Sequence, residues 1–236
     1  MKAIMLIAGP GTRLKPLTDY IPKCCLPVAG EPLLHIWLRK LKQSGVDNVF
    51  LNPSSRYFVY IMETSQNGHI PTITMKAEPE PLGTAGTIWH NKEWFDNEQF
   101  FIIYGDVLTD ISLPQLLAAH EKHKDALLTI AAYRTDEPDQ KGIITFDGDR
   151  RATSFEEKPE NPQSDYAFSG IAVAECSIIE HLSKKDFDFS ADVLPRLIDT
   201  GRVYVYYNPK TYYKDIGTIP DYLQCQFDWR AIRVEG

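Results

Sequence analysis

The chain opens on an apolar run, Ala3-Ile4-Met5-Leu6-Ile7-Ala8. It leads without a break into Gly9-Pro10-Gly11-Thr12-Arg13-Leu14-Lys15-Pro16-Leu17-Thr18, with Pro22-Lys23 shortly after. An uninterrupted apolar hexamer bounded by turn residues reads as a fully buried strand, and strands buried on both faces belong to parallel sheets. The two glycines let backbone N–H groups come close to phosphate oxygens. Arg13 and Lys23 bring positive charge to the same stretch. A parallel strand that ends in such a loop is where α/β folds hold phosphorylated ligands. An ordinary glycine-rich strand-to-helix turn has the same spacing, so the loop alone does not choose between the two.

Bulk properties narrow the field. At 236 residues the chain can bury a core that needs no covalent staples. Its net charge of −7 argues against a broad nucleic-acid surface. Any anion site must therefore draw on local basic residues such as those of the opening loop. Cys24, Cys25, Cys176 and Cys225 have no CxxC or Cys/His spacing, which fits a reduced, cytoplasmic setting. The N-terminal apolar run is too short for a signal h-region with a cleavage site. No apolar run is long enough to span a bilayer.

Strand-like and helix-like patterns alternate through the first half, which predicts βαβ units and a parallel sheet. Leu33, Leu34, Trp37, Leu38 and Leu41 recur at helical spacing up to a stop at Gly45. Strands are expected at 46–51, 70–75 and 100–104. Helices are expected from Ser54 or Ser55 to about Gln66, ended by Asn67-Gly68, from Thr84 to Trp94, and from Leu113 to Lys124. After residue 125 the texture changes to strands at 126–133, 143–146, 152–156, 166–173, 203–207 and 212–214. Helices are expected near 178–183, 191–199 and 219–232. The fold class is α/β, with one mixed, mainly parallel central sheet.

Four further stretches could carry chemistry. Glu78-Pro79-Glu80-Pro81-Leu82-Gly83-Thr84-Ala85-Gly86 is a stiff loop with glycines at a helix start. It suits close approach to a flat base, and equally a rigid turn with an N-cap at Thr84. Asp106 follows a buried strand and Gly105; it is a natural Mg²⁺ ligand or a capping Asp. In Phe155-Glu156-Glu157-Lys158-Pro159, strand alternation places Phe155 and Glu157 on one face and Glu156 and Lys158 on the other. Lys158 could hold a phosphate and Glu157 could accept from sugar hydroxyls; a charged strand end is the plainer reading. Asp215-Ile216-Gly217-Thr218 offers a second carboxylate and a cap, Thr218, for the closing helix. His120 and His123 read as a solvated helix face, and no histidine has zinc-ligand spacing. No nucleophile elbow is present. The dinucleotide fingerprint fails because Leu14 stands where its third glycine belongs.

Taken together, these five stretches resemble the sugar nucleotidyltransferase (NDP-sugar pyrophosphorylase) family. Its GxGTRLxPLT and PK pattern matches Gly9–Thr18 and Pro22-Lys23. Its base loop matches Leu82–Gly86, its GD Gly105-Asp106, its EKP Glu157–Pro159 and its DIGT Asp215–Thr218. All occur in order, across residues 1 to about 223. The mannose-1-phosphate guanylyltransferase-like branch is most similar, through Pro81–Gly86, Gly105–Asp110, Thr129–Ala131 and Asp188–Leu197.

The resemblance implies a Rossmann-like three-layer α/β/α fold of the nucleotide-diphospho-sugar transferase type. It implies a single catalytic domain over 1–236 without the C-terminal β-helix of longer members: 1–125 bind the nucleotide and 126–236 the sugar phosphate. The implied reaction joins an NTP, best GTP, to a sugar 1-phosphate of mannose or heptose type with Mg²⁺, releasing pyrophosphate. Arg13 and Lys23 would be catalytic. Leu6, Ala8, Gly9, Gly11, Thr12, Glu78, Gly83, Thr84 and Gly86 would bind the nucleotide. Gly142, Glu157, Lys158, Ser169 and Gly170 would bind the sugar phosphate, and Asp106 and Asp215 the metal. Nucleic acid and membrane are not expected as partners. The closing residues Tyr222, Phe227 and Trp229 pack either internally or across a homo-oligomer interface.

Two departures stand out. Phe168 occupies the position of the family's usual sugar-binding Asn, which points to a less usual acceptor, with Ser169 as a partial substitute. Pro10 has no N–H to give to a phosphate. The alternatives are a cytidylyltransferase for phosphocholine or another small phosphate, and a non-catalytic sensor of NDP-sugars.

Overall fold

The computed structural model describes residues 1–65 and 71–235. The chain runs β1 (Lys2–Leu6), β2 (Pro27–Val28), β3 (Glu31–Pro32), α1 (Leu33–Gln43), β4 (Asn48–Leu51), α2 (Phe58–Thr64), β5 (Thr72–Met75), α3 (Gly83–His90), β6 (Phe100–Tyr104), β7 (Val107–Thr109) and α4 (Leu113–Glu121). It continues through β8 (Leu128–Arg134), β9 (Gly142–Phe146), β10 (Ala152–Glu157), β11 (Tyr166–Ala174), α5 (Leu194–Asp199), β12 (Val203–Tyr207), β13 (Tyr213–Asp215) and α6 (Ile219–Glu235). Two compact units emerge. One holds Met1–Ile4, Leu82–Ile103 and Ser112–Thr211; the other holds Met5–Pro81, Tyr104–Ile111 and Tyr212–Gly236.

In the first unit β11 is the central strand. It pairs antiparallel with β8, β6 and β9, while β10 pairs antiparallel with β9 and β12 runs parallel to β8. Residues 169–174 of β11 are all buried, so this strand sits inside the core. The pairing of β11 with β8 slips between Phe168 and Ala172, and Gly170 has φ +75° there. Only glycine adopts that conformation at no steric cost, so the irregularity is written into the sequence. The sheet is mixed, as its texture after residue 125 suggests.

In the second unit β4 and β5 run parallel, Asn48 opposite Thr72 through Leu51 opposite Met75, and β1 neighbours β4. Helix α1 buries Leu33, Leu34, Trp37, Leu38 and Leu41. It stops as expected: Gly45 has φ +79°, its N–H reaches the Lys42 carbonyl, and the Val46 N–H reaches that of Leu41. This double closure satisfies two terminal carbonyls. Strands β7 and β13 form a separate antiparallel ribbon. On α6, Trp229 is buried and the Tyr222 hydroxyl donates to the Pro27 carbonyl, whereas Phe227 is 67% exposed.

Several local expectations are corrected. The helix after Ser54 begins as a single tight turn, Ser55–Tyr57, without a Ser54 side-chain cap, and α2 ends at Thr64. Its proposed Asn67-Gly68 stop, and Ile70 at the start of the following strand, lie outside the described residues. Thr84 is not an N-cap. Helix α3 starts at Gly83, and the Thr84 hydroxyl instead accepts the Phe189 N–H at 2.7 Å. His120 is not on a solvated face: it is 2% exposed, with Nδ1 2.9 Å from Thr129 Oγ1 and Nε2 3.2 Å from Glu175 Oε1. Two hydrogen-bond partners on neighbouring elements make burial of the ring affordable, which helical periodicity alone does not reveal.

Candidate active site

In the second unit the sequence-predicted residues gather at the strand ends. Gly11 has φ +62° and opens the turn Thr12–Leu14. A side chain on Gly11 would stand 2.9 Å from Thr18 Cγ2 and 3.4 Å from Lys23 Cβ. Buried Thr18 donates its hydroxyl to the Gly11 carbonyl at 2.8 Å, which folds the loop back on itself. Gly9, Pro10, Thr12 and Arg13 are exposed, as a loop that receives a ligand requires. The Leu6 carbonyl accepts the Gly105 N–H at 3.0 Å, and a side chain on Gly105 would strike Ile7 Cγ2 at 2.3 Å. Gly105 is thus needed for close packing of Asp106 beside the end of β1.

Lys23 Nζ lies 2.6 Å from Asp106 Oδ2, with side-chain exposures of 14% and 39%. Asp215 stands opposite Val107 in the β7–β13 ribbon, and the Ile216 N–H reaches the Asp106 carbonyl at 3.0 Å. The two carboxyl-bearing residues therefore share one end of the ribbon. Asp215 Oδ1 accepts the Gly217 N–H at 3.0 Å. A side chain on Gly217 would meet Asp215 Oδ1 at 2.5 Å and Arg13 Nη2 at 3.2 Å, so Arg13 lies across Gly217 beside Asp215. Asp106 thus has an ion-pair partner in Lys23, while Asp215 and Arg13 both border Gly217. Among the described residues no group of three His, Cys, Asp or Glu could hold a metal. Two hard oxygen donors without His or Cys still suit Mg²⁺, which takes one or two carboxylates and completes its shell with phosphates and water.

Glu78 is 5% exposed and Asn52 3%. Asn52 Nδ2 donates to Glu78 Oε1 at 2.9 Å, and Asn52 Oδ1 accepts the Ile7 N–H at 2.7 Å. Asn52 was missing from the sequence-level set. The available signal was an Asn directly after a buried strand, at the strand ends where α/β ligands bind. Lys40 was missed too. It donates to the Thr109 and Ile111 carbonyls at 2.8 and 3.0 Å, beside Trp37, whose Nε1 donates to the Val107 carbonyl at 2.7 Å. Burial lowers its pKa to about 8, against the opposing pull of Asp110. Helix α1 thereby holds the outer edge of β7.

Ala8, half-buried between β1 and Gly9, completes the second-unit set, and the remaining predicted residues lie in the first unit. Gly83, with φ +76°, leaves room for Phe187: a side chain there would stand 2.1 Å from the Phe187 carbonyl oxygen. The Ala85 N–H donates to that oxygen at 3.0 Å, and Gly86 faces the Asp186 carbonyl. The 83–86 glycines therefore seat the 186–189 segment. Asp188 caps the next turn, its Oδ1 accepting from the Ser190 and Ala191 N–H groups. Gly142 stands opposite Glu157, and a side chain on it would meet Phe155 Cζ at 2.5 Å and Glu157 Oε2 at 2.7 Å. Phe155 and Glu157 share a face, as alternation requires. Burial raises the Glu157 pKa; Lys158 opposes the shift and Asp188 adds to it. Lys158 follows with φ +49°, its N–H on the Lys141 carbonyl. Ser169 is 3% exposed and its hydroxyl accepts the Ile171 N–H at 3.3 Å, so it points into the core.

A family model described as nucleotidyl transferase matches residues 2–230. The chain belongs to that family. It is 31% identical over 229 residues to the mannose-1-phosphate guanylyltransferase of Mycobacterium tuberculosis, covering 96% of this chain and 64% of the relative. It is 30% identical over 254 residues to the UTP–glucose-1-phosphate uridylyltransferase of Synechocystis, covering 99% and 63%. The chain thus spans under two-thirds of the length of these relatives. The crystal structure of a putative glucose-1-phosphate thymidylyltransferase from Bacillus anthracis superposes with a TM-score of 0.89, at 20% identity, over 98% of this chain and 95% of that one. The fold is therefore that of the nucleotidyltransferases. Among the described residues no helix is long and apolar enough to cross a membrane.

Proposed function

We propose that this chain is a sugar-1-phosphate nucleotidyltransferase that joins GTP to a mannose- or heptose-type sugar 1-phosphate. The observation that carries the reading is the Lys23–Asp106 ion pair beside an exposed glycine loop, with Arg13 and Asp215 both bordering Gly217. In the reaction a sugar-phosphate oxygen bonds to the α-phosphorus while the bond from that phosphorus to the bridging oxygen breaks, and pyrophosphate leaves. Little covalent work falls to the protein, so positioning and charge neutralisation dominate.

Gly9, Gly11 and Thr12 offer N–H groups to the triphosphate; Pro10 offers none. Arg13 accepts the growing charge of pyrophosphate and Lys23 that of the α-phosphoryl oxygens. Asp106 and Asp215 would hold Mg²⁺, which supplies further neutralisation of phosphate charge. Lys158 grips the acceptor phosphate, and Glu157 and Gly142 line the sugar. Residues 1–125 serve the nucleotide and 126–236 the sugar phosphate. Four unbridged cysteines support a cytoplasmic setting.

Guanine is favoured over other bases by two things. The Mycobacterium relative is a guanylyltransferase, and buried Glu78 offers carboxyl oxygens that can accept. Guanine alone among the common bases presents two adjacent donors, N1–H and N2–H, to such a group. Phe168 keeps a second reading in play: its ring neither gives nor takes the hydrogen bonds a sugar hydroxyl needs, which would suit phosphocholine. The test is pyrophosphate release from GTP, UTP, dTTP, CTP and ATP in Mg²⁺, against sugar 1-phosphates and phosphocholine. Turnover of GTP with a sugar 1-phosphate supports the reading. Turnover of CTP with phosphocholine alone, or none at all, refutes it; the last outcome is that of a sensor.

A further inference from the structure

Asn52 stands at the end of β4, with β1 on one side and β5 on the other. Past Leu51 the backbone still follows the β5 side: the Lys76 N–H reaches the Leu51 carbonyl, the Glu78 N–H the Pro53 carbonyl, and the Ser55 N–H the Glu78 carbonyl. On the β1 side the next link is made by a side chain. Asn52 Oδ1 accepts the Ile7 N–H at 2.7 Å, one residue past the end of β1. Its Nδ2 donates to Glu78 Oε1 at 2.9 Å. One buried amide therefore ties the root of the glycine loop to the root of the Glu78 loop.

The polarity of this amide is fixed by its neighbours. A backbone N–H can only donate, so the amide oxygen must face Ile7. The nitrogen then faces Glu78, where it needs an acceptor. A carboxylate satisfies it in either orientation, and both partners are over nine-tenths buried. Losing one partner of such a link is costly, because the other remains buried and desolvated.

From this geometry we infer that Asn52 is a positioning residue for base selection: it fixes where the Glu78 carboxylate points, and so which base edge the site accepts. The inference rests on the proposed nucleotidyltransferase reading with guanine as the base. Asn52 touches no reacting atom. Its removal should alter discrimination between bases more than the rate of the chemical step. Asn52→Asp keeps an oxygen for Ile7 but sets a second oxygen against Glu78, and like polarity at that distance drives the carboxylate away.

The test compares kcat/KM for GTP and UTP in wild type, Asn52→Asp, and the reciprocal swap Asn52→Asp with Glu78→Gln, alongside thermal unfolding. In Asn52→Asp the GTP-to-UTP ratio should fall about tenfold or more, through KM for GTP, while kcat falls less. The swap restores a donor–acceptor pair and the same net charge, so its unfolding midpoint should return toward wild type. It moves the negative charge from residue 78 to residue 52, so a GTP preference regained in part reports the restored orientation of the side chain at 78 and supports the inference. An unchanged ratio in Asn52→Asp overturns the inference and leaves the enzyme reading intact. A wild type that turns over no nucleotide, or does not prefer GTP, overturns the base reading and the inference with it.

Discussion

Replacing Lys23 by alanine separates charge at a reacting centre from charge that merely holds a fold. The ammonium sits 2.6 Å from Asp106 Oδ2. Two unit charges at that distance attract by about 6 kcal/mol in a medium of effective dielectric about 20, before desolvation is counted. Asp106 keeps 39% of its side chain in water, and Lys23 loses hydration to reach it. The net contribution of the pair to stability is then only ~1 kcal/mol. In a chain of 236 residues that corresponds to a midpoint shift of roughly 2–4 °C. The loss of one preorganised cation at a developing phosphate charge is larger, about a hundredfold to a thousandfold in kcat. The assay is steady-state pyrophosphate release with GTP and mannose 1-phosphate, paired with thermal unfolding of the same preparations. Lys23→Arg retains the charge with a different shape and should fall between wild type and Lys23→Ala. A Lys23→Ala enzyme within tenfold of wild-type kcat refutes the catalytic role. A midpoint fall beyond about 10 °C would instead assign Lys23 to the fold.

Four other outcomes follow from single contacts. Gly217→Ala should push Asp215 and Arg13 apart, lowering turnover about tenfold or more with a midpoint change of a few degrees at most, read by the same two assays. Gly83→Ala places a methyl against the Phe187 carbonyl at φ +76° and should destabilise the protein by ~2–4 kcal/mol in urea titrations. Lys40 has a folded pKa of about 8, below its ordinary 10.5. The unfolded chain therefore binds the extra proton between those values, and the Lys40 contribution makes stability rise with pH across that window. Subtracting the urea unfolding free energy of Lys40→Met from that of wild type should give a difference that grows from pH 8 to 10. His120 is held neutral by burial, with Glu175 opposing. Its contribution is present above its ordinary pKa of 6.5 and lost as pH falls below it, so His120→Gln should flatten that part of the urea stability profile.

What was legible in the sequence was whatever a short stretch specifies by itself. The stop of α1 needed only a left-handed glycine and the two residues around it. The shared face of Phe155 and Glu157 needed only strand alternation. The motifs Gly9–Thr18, Gly105-Asp106 and Asp215–Thr218 could each be marked from local chemistry. Their pairing could not, because it arises from the β7–β13 ribbon, whose strands are separated by the whole of 110–212 in the chain. The same holds for His120. Its partners Thr129 and Glu175 lie on other elements, so a helical wheel assigns it to water. Thr84 failed differently: the hydroxyl had the right chemistry for a cap, but a better-placed donor on Phe189 took it.

Glycine is the residue on which local and long-range logic part most clearly. In a phosphate or base loop, glycine is read as space for a ligand. Gly9 fits that reading, since nothing of the protein lies within 4 Å of where its side chain would be. Gly11, Gly83 and Gly105 are already needed for the protein's own packing, against Thr18, Phe187 and Ile7 respectively. Ligand contact at those three can only come through backbone groups that packing leaves turned outward. Substitutions at them will therefore mix unfolding with lost binding, whereas Gly9→Ala tests the ligand alone. If the loop holds a triphosphate, Gly9→Ala should weaken nucleotide binding by about tenfold, measured by calorimetry, with the unfolding midpoint unchanged. A variant that binds as wild type does would show that the phosphates approach from elsewhere.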